Sequence, residues 1–510
     1  MGAHEPMQGS GGPFLPLLET DNGHGVSAHD EQDQRETEVQ LPQELKEELA
    51  RITSEFTVDT SKLKDIVKHF GEELDHGLKK THQNIAMYPT WVFGLPDGKE
   101  QGQYLTIDLG GTNLRVCWIT LKGQHQETEI EQDTYKLPEH VKSGNADELW
   151  DLIAECLDNF MQKHELKGTE EDPLPLGFTF SYPVQQDSVD RGCLVTWTKG
   201  FDIKGVEGKD VVLQLSEAIS KRKLPVRIVA LVNDTVGAMV ASAYNDPETM
   251  IGAIFGTGCN AAYVENVGSI PKIAGCGLLS GTPMAINCEY GAFDNSHQVL
   301  PRTKYDIEVD RESPKPGEQA FEKMSAGLYL GEIFRLVIVD LYERGVIFKG
   351  HDLKKLTDQP YALDTGFLSG LENDSLEDRQ KLYESVLGFV PSPEELELSR
   401  LLAETIATRG SRLSACGIAA ICIKKGMKAG NVAADGSVAN KHPRFKARWK
   451  KALGEVLEWP TEREEDPINL TSAEDGSGVG AAIICAMTLK NIREGRFMGV
   501  SDGGEFTDKR

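Results

Sequence analysis

The chain is short of positive charge, of paired cysteines and of long apolar runs, and each shortage excludes something. Lys and Arg number 54 against 80 Asp and Glu, a net charge of −26. So acidic a chain repels a nucleic-acid backbone and an anionic membrane surface, and neither is expected as a partner. Nine cysteines include no C-x-x-C pair, which argues against a zinc ribbon or disulfide framework and for reduced thiols in a cytoplasmic compartment. Several, such as Cys117 and Cys485, lie in apolar runs and read as buried small residues. No stretch approaches the apolar length of a membrane span, and no basic-then-apolar signal opens the chain. Met1-Gly2 hints at myristoylation, but Pro6 stands where that pattern wants Ser or Thr. A G-x-x-x-x-G-K-[ST] loop and a protein-kinase catalytic loop are both missing.

At 510 residues the chain exceeds a single compact core and suffices for two substantial domains. Residues 1–40 are rich in Gly, His, Gln and acid and read as a disordered acidic tail; Phe14-Leu15-Pro16-Leu17-Leu18 within it reads as a hydrophobic accident rather than a docking motif. From Pro42 to Leu78 the pattern turns helical, with Leu63, Ile66, Val67, Phe70 and Leu74 on one face. Helices are predicted over Ala146–Phe160 and Ala320–Leu341, and a strand over Val226–Val232. Strands alternate with helices, so the class is α/β.

What is present in quantity is glycine at turns. Asp108-Leu109-Gly110-Gly111-Thr112-Asn113-Leu114-Arg115 joins two short apolar runs that read as strands, Tyr104–Ile107 and Val116–Ile119. Two glycines let the backbone reverse and leave peptide N–H groups open to an anion. Thr112 adds a hydroxyl, Arg115 a planar charged fork suited to phosphate oxygens, and Asp108 a hard oxygen for a phosphate-bound Mg²⁺. The same plan recurs where Met250–Phe255 runs into Gly256-Thr257-Gly258-Cys259-Asn260 and returns through Ala261–Val264. Strand, glycine turn, strand, once in each half, predicts two similar lobes that each present a phosphate-handling turn to a shared cleft. Gly476-Ser477-Gly478 echoes a dinucleotide fingerprint, but no strand is predicted before it, so it reads as small residues for close helix packing.

Between and beyond the turns, several runs place hydrogen-bonding side chains at the edge of apolar or glycine-rich segments. They are Phe178–Pro183, Trp197–Phe201, Leu231–Thr235, Ile286–Gly291 and Phe321–Lys323. A buried polyol needs such a set, because each unpartnered hydroxyl costs about 1–3 kcal/mol, and a carboxylate can take two vicinal O–H groups. In order and wording these runs resemble the hexokinase family from about Leu41 to Phe497. Asp108–Arg115 resembles its first phosphate segment, Leu176–Phe201 its sugar segment, and Gly256–Asn260 its second phosphate segment. Ala434-Asp435-Gly436-Ser437 is similar to its adenosine turn, and Gly476–Ala481 to the start of its last small-lobe helix. The wording around Phe293-Asp294-Asn295, Leu300-Pro301 and Phe321–Met324 looks fungal, and Ala326–Phe334 resembles the glucokinase branch.

The resemblance implies an α/β, two-lobed actin-like ATPase (ribonuclease H-like) fold with a cleft between a small and a large domain. It implies a helical segment 41–100 belonging to the large domain, a small domain 101–231, a large domain 232–480 and a C-terminal helix 481–500 returning to the small domain. It assigns sugar contacts to Ser181, Thr198, Lys199, Asn233, Asp234, Asn260, Glu289 and Glu322. Nucleotide or phosphate contacts fall to Asp108, Gly110, Gly111, Thr112, Asn113, Arg115, Gly256, Thr257, Gly258, Thr408, Asp435, Gly436 and Ser437. Tyr182 and Tyr290 stand where members carry other aromatics and are expected to pack. The implied activity is transfer of the ATP γ-phosphoryl group to the 6-hydroxyl of glucose, with mannose and fructose as further candidates. Asp234 is expected to act as general base, with Lys199 and Arg115 placing positive charge near the reacting oxygens. No residue is expected to hold metal directly: Mg²⁺ would arrive with ATP and meet Asp108 through water. Sugar bridging the lobes would close them. The expected partners are glucose and ATP, in a monomer or weak homodimer. A sugar sensor without turnover would have lost Asp234, Lys199 or a phosphate glycine, and all are present. An actin- or chaperone-like ATPase would not need the polyol set.

Overall fold

Each glycine turn starts an antiparallel ladder, and the two ladders seed two sheets. The computed structural model describes residues 39–111, 113–124, 126–198, 201–473 and 476–501. Residues 1–38, with Phe14–Leu18, and the site candidates Thr112 and Lys199 therefore lie outside the described residues. The strands are β1 (Tyr88–Phe93), β2 (Gln101–Leu109), β3 (Asn113–Lys122), β4 (Glu129–Lys136), β5 (Leu174–Phe180) and β6 (Val226–Val232). They continue with β7 (Thr249–Phe255), β8 (Cys259–Asn266), β9 (Pro283–Asn287), β10 (Gly430–Asp435) and β11 (Ile468–Ser472). One sheet has the order β4-β3-β2-β5-β6, the other β1-β9-β8-β7-β10-β11. Apart from the added edge strand β1, both read third, second, first, fourth, fifth. In each, the first three strands are antiparallel and the last two join in parallel. The duplication inferred from the two turns is thus a duplication of topology.

The helices that matter for the site are α1 (Gln43–Phe56), α2 (Thr60–Lys79), α3 (Ala146–Lys163), α4 (Asp234–Asn245), α5 (Ala320–Ser325), α6 (Gly327–Glu343), α7 (Pro393–Lys425) and α8 (Gly476–Arg493). Local chemistry sets their ends. Asn145 caps α3 by accepting from Glu148 N, and Ser392 with Glu395 forms a capping box on α7, whose Pro393 opens the helix and whose Gly426 closes it in the left-handed region. The helical pattern read over Pro42–Leu78 forms two helices, because Asp59 accepts from Lys62 N and starts α2 afresh. The long helix predicted over Ala320–Leu341 is likewise broken, at extended Ala326. α7 corrects another expectation: it is long and apolar enough to cross a membrane, but 83% of the qualifying window is buried within the fold. It is a core helix, packed by α1, α2 and α6.

Two helices change sides. α4 follows β6 of the first sheet yet packs on β7, β8 and β10 of the second, whereas α8 follows β11 of the second sheet yet packs on β2, β5 and β6 of the first. A strand does precede Gly476 after all, since β11 ends at Ser472. The small residues nonetheless act in packing: a Cβ added at Gly480 would lie 2.1 Å from the Gly237 carbonyl oxygen, so the two helices cross nearly backbone to backbone. Val236, Met239 and Val240 of α4 and Ala481–Ala486 of α8 form a core with Cys117 and Ile119 from one sheet and Ala262 and Ala285 from the other. This junction lies apart from the cores of the two lobes. All nine cysteines are free thiols, seven of them buried.

Candidate active site

The strand ends carry the polar residues. In the first sheet Arg115, Asp108 and Thr179 sit side by side on β3, β2 and β5. In the second, Asn260, Ile254 and Asp435 occupy the same three places on β8, β7 and β10. Both rows end at a glycine turn: Gly110 N donates to Asn113 O at 3.1 Å, and Gly256 N to Gly258 O at 3.0 Å.

The first turn meets the start of α8. Ser477 Oγ donates to Asp108 Oδ2 at 2.9 Å, Thr179 Oγ1 donates to the Ser477 carbonyl at 3.2 Å, and Arg115 stands 3.9 Å from Asp108. Asp108, Arg115, Ser477 and Gly478 line one pocket, so the positive end of α8 faces the turn where an anion would sit. Tyr182, expected only to pack, also donates its hydroxyl to the Gly110 carbonyl at 3.3 Å. Burial, with the Asp234 and Asp108 charges nearby, holds its phenol well above the ordinary range.

The second turn meets the Ala434–Ser437 turn. Gly436 has φ +110°, and a Cβ there would approach the Phe255 carbonyl and Gly256 N to 2.6–2.7 Å, so only glycine lets the two backbones touch. Asp435 accepts from Gly436 N at 2.6 Å and Asn440 Nδ2 at 3.0 Å. Burial raises its pKa; Asp234 raises it further and Arg115 opposes, which puts all three within electrostatic reach of one another. The break at Ala326 belongs here too: Gly327 N donates to Gly256 O at 2.8 Å and Leu328 N to Thr257 O at 3.2 Å, so the turn takes up the first N–H groups of α6.

Asp234 is the first residue of α4, capped by Asn233. Its Oδ1 accepts from Thr235 N at 2.8 Å. Thr235 links it to a network of amides and a carboxylate. Its hydroxyl accepts from Asn260 Nδ2 at 2.9 Å and donates to Asn233 Oδ1. Asn260 Nδ2 also reaches Asn287 Oδ1 at 2.7 Å and Glu289 Oε1 at 3.2 Å, and Asn287 Nδ2 reaches the same Glu289 oxygen at 2.9 Å. Glu289 is held in the left-handed region at φ 52°, a conformation that a non-glycine residue keeps only where its surroundings enforce it. Its N–H donates to Asn260 Oδ1 at 2.9 Å, which fixes the turn. Glu322, on α5, accepts from Cys259 N at 3.1 Å. A Cβ on Gly258 would fall 2.6 Å from that carboxylate, so glycine is what admits it. Burial, reinforced by Glu322 and Glu289, keeps the Cys259 thiol protonated.

Two of the polar segments come from the first lobe. Ser181 is buried after β5, its N–H donating to Leu109 O at 3.4 Å, and Thr198 follows Trp197, which packs with Phe180, Tyr182 and Phe201. Ser437 opens a short helix beside Gly436. Thr408 lies half-buried on α7, and no hydrogen bond among the described residues joins its side chain to the turns.

Two family profiles, both described as hexokinase, match residues 48–244 and 250–487. The chain belongs to the hexokinase family. It is an ATP-dependent hexose kinase with the two-lobed actin-like fold. A hexokinase of Emericella nidulans is 53% identical over 467 residues, spanning 91% of this chain and 95% of its own. Hexokinase-1 of Saccharomyces cerevisiae is 51% identical, spanning 90% and 96%. Among solved structures, a Schistosoma mansoni hexokinase complexed with glucose superposes with a TM-score of 0.80 at 34% identity, covering 87% of this chain and 99% of its own. The fungal wording read in the sequence agrees with fungal relatives at about this identity.

In this hexokinase, sequence reasoning missed Thr235, Asn287 and Ser477 as network members. All three lie inside runs that were recognised; Thr235 adjoins the chosen Asp234, and Asn287 stands two positions before the chosen Glu289. The available signal was position: a hydroxyl or amide adjoining a site residue at a strand end faces the same cleft or its support.

Proposed function

We propose that the chain transfers the γ-phosphoryl group of MgATP to the 6-hydroxyl of glucose, giving glucose 6-phosphate and ADP, with Asp234 as general base. The observation that carries this reading is the chain of hydrogen bonds from Asp234 through Thr235 to Asn260, Asn287 and Glu289. It sets a carboxylate beside a rigid set of donors and acceptors of the kind a polyol requires. A primary alcohol is a weak nucleophile at neutral pH, so the proton passes to Asp234 as the new P–O bond forms and the bond to ADP breaks. Asn233, Asn260, Glu289 and Glu322 hold the hexose hydroxyls from one lobe, and Ser181, Thr198 and Lys199 from the other. Arg115, Thr112, Thr257 and the two glycine turns hold the phosphates; Asp435, Gly436 and Ser437 hold the adenosine end.

The donor set suits Mg²⁺: Asp108 offers a hard oxygen at the mouth of the first turn, braced by Ser477. Asp108 would stand near Mg²⁺ carried with ATP, which would supply positive charge against the phosphate oxygens. Because the sugar spans both lobes, its binding energy closes the cleft and excludes water as a rival nucleophile. Glucose is supported by the Schistosoma mansoni relative, described as complexed with glucose. The free, mostly buried thiols support a reducing cytoplasmic setting. A coupled assay of hexose 6-phosphate formation with MgATP, run on glucose, mannose and fructose, tests the reading. Failure to turn over glucose would refute it; equal use of all three would make the enzyme a broad hexokinase rather than a glucokinase.

A further inference from the structure

One direct tie joins the two sides of the cleft beside the sugar set. Lys315 Nζ donates to Thr196 Oγ1 at 2.5 Å and to the Trp197 carbonyl at 2.9 Å. Thr196 and Trp197 belong to the first lobe. Trp197 is buried against Phe180, Tyr182 and Phe201, and its N–H is held by Glu207 at 2.7 Å. Lys315 belongs to the second lobe, in the loop that leads into α5. That loop is anchored from beneath: Lys323, itself buried, donates to the Lys315 carbonyl at 2.8 Å and to Asp310 at 2.7 Å. Asp310 also accepts from Gly317 N at 3.0 Å. The ammonium is therefore presented by a preset loop to two uncharged oxygens on the opposite lobe. The tie is flanked by the site, since Trp197 precedes Thr198 and Lys323 follows Glu322.

We propose that Lys315 is a cross-cleft positioning residue, which fastens the Thr196–Thr198 segment to the lobe that carries Glu289 and Glu322 and so joins the two halves of the sugar site. The proposal rests on the sugar set assigned above. A lysine fits this role, because its ammonium can satisfy both acceptors when the lobes meet and returns to water when they part, so the contact favours only the closed form. Its loss therefore weakens sugar binding and leaves the chemistry and the resting fold alone.

The test uses the full chain and the variants Lys315→Met, Lys315→Arg and Thr196→Val. Glucose affinity is measured by titration calorimetry without ATP, alongside steady-state constants and the sugar-free melting temperature. Losing hydrogen bonds from a charged donor should raise the glucose Kd and KM of Lys315→Met together, by about 10-fold. The ATP KM at saturating glucose and the sugar-free melting temperature should stay as in the parent. Lys315→Arg should recover most of the affinity, and Lys315→Met with Thr196→Val should be no worse than Lys315→Met alone. A glucose Kd within twofold of the parent, additive losses in the double variant, or a sugar-free melting temperature that falls with affinity would each overturn the proposal. Glu289→Gln, titrated in parallel, separates the two layers. If it binds glucose normally, the sugar set itself is misplaced; if it binds weakly while Lys315→Met does not, the tie alone falls.

Discussion

Replacing Asp234 by Asn tests the chemistry with little disturbance of the structure. The side chain stands at the start of α4, where its Oδ1 accepts from Thr235 N at 2.8 Å. Asn keeps that oxygen, and the Asn233 cap is untouched, so stability should change by no more than about 0.5 kcal/mol. What the amide cannot do is take up the sugar proton. Losing a general base removes about 10²–10⁴ in rate, which corresponds to roughly 3–5 kcal/mol of barrier. The measurement is kcat at saturating glucose and MgATP, with glucose affinity by titration and melting temperature as controls. Affinity and melting temperature should stay close to the parent while kcat falls by two orders of magnitude or more. A kcat within about tenfold of the parent would remove Asp234 from the role of base. Lost affinity with retained kcat would make it a binding residue instead.

The division of the site by substrate predicts that Glu289→Gln and Glu322→Gln chiefly raise the glucose KM, whereas Arg115→Ala and Thr257→Ala chiefly raise the ATP KM; varying each substrate at saturation of the other exposes a wrong sorting. Gly480→Ala should loosen the crossing of α4 and α8, because the new Cβ meets a backbone oxygen at 2.1 Å and no side chain can yield; a loss of about 1–3 kcal/mol in chemical denaturation is expected, and an unchanged midpoint would contradict the close approach. Glu372 provides a pH test. Burial alone would raise its pKa, but the His442 ring, 3.4 Å away, and a hydrogen bond from Arg448 at 2.6 Å outweigh burial and hold it low. Its folded pKa thus lies below the unfolded value, and its stabilisation is complete above the ordinary glutamate range and lost as pH falls through and below it. The melting-temperature gap between parent and Glu372→Gln should be constant near neutrality and shrink on acidification; a gap that widens would reverse the assignment.

Much of this was legible in the sequence because glycine turns and strand residues are local signals. Val226–Val232 is a strand with the ends predicted, and both glycine turns join the predicted strands. The polar clusters at strand ends were readable because a strand's polar end marks where a sheet meets solvent. What was hidden depended on contacts from elsewhere in the chain. Nothing in the periodicity of Ala320–Leu341 announces a break at Ala326; the break exists because Gly256 and Thr257, about 70 residues earlier, accept the N–H groups it frees. Thr235 and Asn287 were passed over for the same reason, since the partner they share, Asn260, lies 25 and 27 positions away from them. Tyr182 shows the converse: its place among aromatics was readable, its hydroxyl's reach to Gly110 was not.

The exchange of α4 and α8 between sheets also governs how the protein is made. The first sheet is complete in sequence at Val232, yet the helix that covers part of its face is Gly476–Arg493, which leaves the ribosome much later. Until then the apolar residues of the first sheet that pack with Ala481–Ala486, among them Tyr104, Cys117, Ile119, Val229 and Val232, are bare surface, a state that invites aggregation or a chaperone. The two lobes therefore cannot be cut apart into self-sufficient pieces. A fragment ending anywhere before Gly476 leaves its first sheet uncovered, and only a second fragment that carries α8 in trans could restore it.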